Sequence, residues 1–427
     1  MRTPPAPASL FTNNRTRLTK HLSQHSIAVI RSNSQIPTNA DALSKYEVNS
    51  GLYYLSGIKQ ANTTLILFPH AHAPELREIL FIEESTPHMT IWEGERLSKK
   101  QASELSGIAT VKYAQEFLAT FNLLTKEAQS ISLVTNEQTL PTPHATTSND
   151  LLIQDLKARY PLHNFERLTP HLTGLRMIKQ EAEISEIKKA IAITAAGYEK
   201  VLKLLKPSIG EWEIEAEFAH TFLKAGSKGF AYTPIVASGG NACVLHYINN
   251  DKKCKDGELV LLDVACEWNE WNADITRCFP VNGVFTLRQR AVYTAVLDTL
   301  KYAETVLRPG ILLKDYHLKV MYYMGEQLVT LNLISQEALE SSEWESAVKT
   351  YYMHGSSHHL GLDVHDVMSP LQPVTEGMVF TIEPGLYIQE EQIGIRLENN
   401  YRIGKDSNEN LSSCIPLEIE EIESLMA

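Results

Sequence analysis

Cysteine is scarce in this chain. Five are scattered over 427 residues, an odd number, and none has CxxC spacing. This argues against a disulfide framework and a zinc ribbon. No stretch approaches eighteen apolar residues, so nothing reads as a membrane span. The start, Met1-Arg-Thr-Pro-Pro-Ala-Pro, has no apolar core of signal-peptide length. A reducing cytoplasm is the expected compartment, with no membrane partner. Positive charge is also short: 39 Lys and Arg against 51 Asp and Glu give a net charge of −12, with no basic run. A nucleic-acid partner is therefore not expected. No glycine loop suited to cradling phosphate occurs; Ser238-Gly-Gly-Asn241 reads as a turn.

What is present is a chain too long for one ordinary core, so two domains are expected. Composition, 43 % hydrophobic, is that of a globular protein. Residues 1–170 mix patterns of both kinds. Arg15 to His25 reads as a helix, and Ser26–Arg31, Asn62–Phe68 and Ile79–Ile82 read as strands. Residues 140–149 form a loop by composition. The boundary is placed near Leu168 to Gly174. A long amphipathic helix follows, from about Lys179 to Leu205, with acidic residues at its start as the helix dipole favours.

The second half carries four carboxylates and a histidine in contexts that suit metal ligands. Asp263 ends the apolar run Leu259-Val-Leu-Leu-Asp263, and Asp274 opens Asp274-Ile-Thr-Arg-Cys-Phe279. Glu383 lies in Val379-Phe-Thr-Ile-Glu383-Pro-Gly385, and Glu398 in Gly394-Ile-Arg-Leu-Glu398. His358 stands in the imidazole-rich segment His354 to Asp366. One acidic residue at a strand end is usually a solvated edge or a cap. Several in apolar strands are another matter, because an unpaired buried charge is very costly. Together the five read as an oxygen-rich site for two divalent cations.

The spacings agree. Asp263 and Asp274 are symmetric about Trp268 and Asn269, and Glu383 and Glu398 about Glu390 and Glu391. If each stretch is a tight hairpin, each pair lies directly opposed on neighbouring strands. Lys203-Leu-Leu-Lys-Pro-Ser-Ile209 and Thr305-Val-Leu-Arg-Pro-Gly-Ile311 end two helices 102 residues apart. Each precedes one hairpin, which suggests a duplicated helix–hairpin unit with the metals between. Other histidines, His246 among them, can donate to a carbonyl or an oxyanion. His359 is expected to line the pocket or face solvent.

These motifs resemble the pita-bread metallopeptidase family, and within it the aminopeptidase P group most closely. They are Ile235 to Tyr247, Leu262 to Glu267, Ala273 to Pro280, His354 to Asp366, Thr381 to Ile388 and Gly394 to Glu398. Asn49 to Gly57 and Ile91 to Arg96 resemble motifs of its first domain. The resemblance implies a mixed α/β (α+β) protein. A creatinase-like α/β domain over 1–170 would precede a pita-bread catalytic domain over 171–427. It implies that Asp274 and Glu398 bridge both metals, that Asp263 serves one, and that His358 and Glu383 serve the other. Glu383 would also take the proton of the attacking water. His365 and His354 would meet the substrate or stabilise the intermediate, and His246 would line the pocket. Tyr232 would sit by the substrate amine, Arg396 would support the metals, and Trp92 would reach the substrate.

The implied activity is metal-dependent removal of the residue before a proline at position two of a peptide. A prolidase restricted to dipeptides, and a metal-free interaction module, are the alternatives. Oxygen-rich ligation favours Mn2+, with Co2+, Zn2+ and Fe2+ compatible. A homodimer or homotetramer is expected. The chain departs from the first-domain pattern at Gly51, where the family often has Asp, and at Glu47 and Val48, where it has basic and amide residues.

Overall fold

The computed structural model describes residues 2–135 and 146–427. It divides into two compact units, one of Pro4–Arg176 and one of Met177–Ala427 with Met1–Thr3. Most of the loop expected over 140–149 lies outside the described residues. At its described end, Thr147 accepts from the Asp150 amide and caps the helix Ser148–Arg159.

The first unit is built on a six-stranded mixed sheet. Its order is Thr110–Tyr113, Glu78–Ile82, Thr64–Leu67, Ser26–Arg31, Ser130–Leu133 and Asn164–Arg167. Ile27, Val29, Ile66, Phe81 and Ile131 alternate into a core closed by Phe117 and Phe121. The strands read from sequence fall where expected, but the first helix does not. It spans Ala8–Thr19, burying Leu10, Phe11 and Leu18, and it stops before the left-handed His25 (φ 61°) that turns the chain into the first strand. The departure at Gly51 has a packing cause. A Cβ there would lie 2.9 Å from Leu172 Cδ2 and 3.3 Å from Asn49 Oδ1, so a larger residue would require the Leu172 side chain to shift. Glu47 is exposed beside Lys45.

The second unit repeats one plan. Helices Glu181–Leu204 and Glu211–Lys224 precede a first hairpin, and helices Leu287–Val306 and Leu313–Thr330 precede a second. Apolar faces of these helices and the inner faces of both hairpins share one core, with Tyr198, Phe218, Phe279, Val296 and Phe380 fully buried.

In the second hairpin, Val379 pairs with Arg402, Ile382 with Asn399, Gly385 with Arg396 and Ile388 with Ile393. The Leu397 amide donates to the Pro384 carbonyl, which carries the same register across the gap. Glu383 therefore stands opposite Glu398, as the symmetry about Glu390 and Glu391 predicts. The first hairpin differs. Asp263 pairs with Thr276, and Trp268 pairs with Trp271. The turn is Asn269-Glu270, both left-handed at φ 51° and 74°, which suits a two-residue hairpin loop. The centre is thus one residue later than expected. Asp274 lies diagonal to Asp263 on the same face, and Thr276 takes the position directly across from it. The two hairpins are joined where the Glu398 amide donates to the Thr276 carbonyl.

Candidate metal centre

Alternation along the two hairpins places one set of side chains on the same face. From the first come Asp263, Asp274 and Thr276; from the second come Thr381, Glu383, Arg396 and Glu398. Of these, Asp263, Asp274, Glu383, Arg396 and Glu398 line a cleft of about 300 Å³ together with Leu245, His246, His354, Gly355, Ser357, His358 and His365. All five expected ligands and the three expected histidines thus converge. Oxygen and nitrogen atoms of Asp274, His358 and Glu398 lie within 4.8 Å of one another. His358 Nε2 is 3.4 Å from Asp274 and 3.6 Å from Glu383.

The electrostatics call for cations. Burial, then repulsion by Asp274 and Glu383, raises the Glu398 carboxyl well above the usual range. Burial likewise lifts Glu383 to about 7, against the pull of His358 and Arg396. Asp263 is raised by burial, although Arg396 opposes this. For His358, burial lowers the pKa, but the Asp274 hydrogen bond and the Glu383 charge win and set it at about 9. Four carboxylates crowded into a buried face, with imidazole beside them, match the donor set of hard divalent ions. The residues present fit two such ions.

Supporting contacts fix the ligands. His358 Nδ1 donates to the His359 carbonyl at 3.0 Å, which leaves Nε2 facing the carboxylates. Thr276 Oγ1 donates to Glu398 at 2.7 Å. Tyr232 donates its hydroxyl to Asp263 at 2.6 Å. Arg396 places all three nitrogens: one on Asp263 at 2.6 Å, one on Tyr387 at 2.9 Å and one on Thr276 at 3.2 Å. The Tyr387 hydroxyl donates a hydrogen bond to His354 Nε2 at 2.8 Å, while His354 Nδ1 donates to the Gly355 carbonyl at 2.8 Å. Burial, then Arg396, lowers His354 to about 3 and keeps it neutral.

One expectation is placed elsewhere. His359 neither lines the cleft nor faces solvent: it is 1 % exposed, and its ring packs 4.0 Å from that of Phe380. Trp92 belongs to the other unit, on the helix Pro87–Glu93, and is 70 % exposed. Sequence reading missed Thr276 and Tyr387, although each sits at the two-residue spacing from a ligand or from Gly385 that a strand face dictates. It also missed Lys179, the long-range ion-pair partner of Asp366 at 2.9 Å, which no local pattern could reveal.

Similarity to known proteins agrees with this arrangement. A model of metallopeptidase family M24 matches residues 185–405, and one of the aminopeptidase P N-terminal domain matches residues 11–133. The Xaa-Pro aminopeptidase of Haemophilus influenzae is 33 % identical over 98 % of this chain and 97 % of its own. That of Escherichia coli is 31 % identical over 97 % of each. The structure of Escherichia coli aminopeptidase P with the inhibitor Pro-Leu superposes with a TM-score of 0.88 at 30 % identity, covering 98 % of both chains. The chain belongs to metallopeptidase family M24, with an aminopeptidase P N-terminal domain preceding its catalytic unit.

Proposed function

We propose that this protein is a metal-dependent aminopeptidase that hydrolyses the bond between the first residue of a peptide and a proline at position two. Asp263, Asp274, His358, Glu383 and Glu398 would hold two divalent ions. When bound, such ions supply Lewis-acid polarisation of the scissile carbonyl and a more acidic water. Glu383, raised to about 7, accepts the proton of the attacking water and returns it to the leaving nitrogen. His365 donates to the developing oxyanion. Its lowered pKa, from burial and from His358, favours the neutral donor. The Xaa-Pro bond is a tertiary amide, so no acceptor for a scissile N–H is needed.

One observation separates this from a dipeptidase. Among the described residues lining the cleft, Arg396 is the sole Lys or Arg. Its three nitrogens are all committed to Asp263, Tyr387 and Thr276. Three of its five N–H donors are thus turned to neighbouring side chains, which argues against a role dedicated to capping the carboxylate of a dipeptide, so longer peptides are the expected substrates. Near full-length similarity to proteins named Xaa-Pro aminopeptidase supports the same reading. Trp92 is retained as a substrate contact from the N-terminal unit. Mn2+ is the favoured ion for this oxygen-rich set, with Co2+, Zn2+ and Fe2+ compatible. A cytoplasmic homodimer or homotetramer completes the proposal; the five free cysteines support the compartment.

Product analysis on matched peptides with Pro or Ala second, at equal Mn2+ loading, tests it. Release of the first residue from Xaa-Pro-Yaa is expected. Preferential cleavage of the Ala peptide, or of Xaa-Pro dipeptide with the tripeptide untouched, overturns it.

A further inference from the structure

His246 faces the cleft on the segment that follows the strand Ile235–Ser238, and its side chain is exposed. Among the described residues it makes no side-chain hydrogen bond. Its placement therefore comes from the backbone that carries it. That backbone is gathered on one carboxylate. Glu211, the first residue of the helix Glu211–Lys224, is fully buried. Its Oε1 accepts from the Ser238 amide at 2.8 Å, the Ser238 hydroxyl at 2.7 Å and Asn241 Nδ2 at 3.1 Å. Its Oε2 accepts from the Tyr247 hydroxyl at 2.8 Å and the Lys252 amide at 2.9 Å. The Glu211 amide in turn donates to the Lys252 carbonyl at 2.8 Å.

We infer that Glu211 is a positioning residue for His246. Its five acceptor bonds pin the beginning, the turn and the end of the arm Ser238–Lys252, and Tyr247 ties it to the residue next to His246. A carboxylate suits the place because N–H donors meet both of its oxygens, Ser238 and Asn241 on Oε1 and Lys252 on Oε2, whereas an amide would set an NH2 group against one of them. Hydrogen bonds to a charged acceptor are the stronger kind, and burial strengthens them further. Glu211 has no place in the cleft and touches none of the metal ligands. Its effect on the reaction runs through where the arm holds His246. This inference rests on the proposed role of His246 in the cleft.

The test is a double-variant cycle on the full-length, Mn2+-loaded protein with an Xaa-Pro-Yaa peptide. It compares Glu211→Gln, Tyr247→Phe, His246→Ala and the two combinations with His246→Ala. Metal content and hydrogen exchange over residues 239–252 are measured on each. Glu211→Gln should lower kcat by roughly 10- to 100-fold, the scale of a small misplacement, with metal content intact and exchange over 239–252 accelerated. Tyr247→Phe should act in the same direction by less. Neither loss should appear in the His246→Ala background. Losses that multiply with His246→Ala, or a His246→Ala variant that turns over as fast as wild type, overturn the inference. So does unchanged exchange in Glu211→Gln. If Glu211→Gln does not fold, Tyr247→Phe decides by the same criteria. If the wild-type protein leaves the peptide intact, the proposed function falls, and exchange over 239–252 still shows whether Glu211 holds the arm.

Discussion

Lys179 and Asp366 form an ion pair whose removal should be felt in both stability and turnover. Lys179 Nζ lies 2.9 Å from Asp366 Oδ2, with the two side chains 1 % and 2 % exposed. The Asp366 amide donates to the His359 carbonyl at 2.9 Å, the same carbonyl that accepts from His358 Nδ1. Lys179→Met keeps the volume and removes the charge, so a buried carboxylate loses its cation. Removing one partner of a buried pair costs about 3–5 kcal/mol. In a unit of this size each kcal/mol moves Tm by roughly 2–4 °C, so the fall should be about 6–20 °C. Lys179→Met/Asp366→Leu should recover part of that loss, because neither charge remains. Well below Tm, turnover in Lys179→Met should also drop, because His365 is the neighbour of Asp366 and shares its loop. The assay is calorimetry of the full-length, metal-loaded protein alongside peptide hydrolysis. A Tm shift below about 1 °C in Lys179→Met, or a double variant with simply summed losses, refutes the reasoning.

Asp274→Asn should abolish hydrolysis and cut bound metal if Asp274 is the ligand proposed above; two ions per chain with normal turnover would contradict its role. His365→Ala should keep its metal and slow turnover roughly 100- to 1000-fold, the value of one oxyanion donor; loss of metal instead would make His365 a ligand. Stripped of metal, the protein should lose stability as pH rises from 6.5 to 9. His358, raised from 6.5 to about 9, releases a proton on unfolding across that range, and Glu383, raised from 4.5 to about 7, adds to the loss only up to about pH 7. His354 and His359, lowered to about 3, act with opposite sign only below pH 6.5. Chelator-treated samples melted across that range test this, and a rising Tm would count against it.

How far the site was legible follows from the hairpins. The second hairpin could be read because its midpoint falls between two like residues, Glu390 and Glu391, and pairing runs without a bulge from Val379 to Arg402. The first was misjudged by one residue. Asn269 is an ordinary left-handed turn residue, but Glu270 is not, and the reading assumed that two ligands must stand directly opposed. In the structure they are diagonal, and Thr276 fills the vacant place. The ligands themselves were visible because carboxylates in apolar strands need a reason. Glu211 and Lys179 were not, because each is a common residue at a helix start. Their meaning depends on partners up to 187 residues away. The first helix was misread because His25 carries no local sign of its left-handed turn.

Because the pairing in the second hairpin is unbroken, its tolerance to insertion and deletion is set by arithmetic. One residue added to either arm between Glu383 and Ile388, or between Ile393 and Glu398, would turn a carboxylate to the opposite face. Two residues added to one arm would restore the face but slide Glu398 along the strand by about 7 Å from its counterpart. Only the tip, residues 389–392 beyond the Ile388–Ile393 pair, can change length freely. In homologues aligned to this chain, gaps should collect at that tip and not at Asn269-Glu270, where Asn269 is buried and donates to Glu186 Oε2. The tip is also where a reporter peptide could be inserted without disturbing the acidic face.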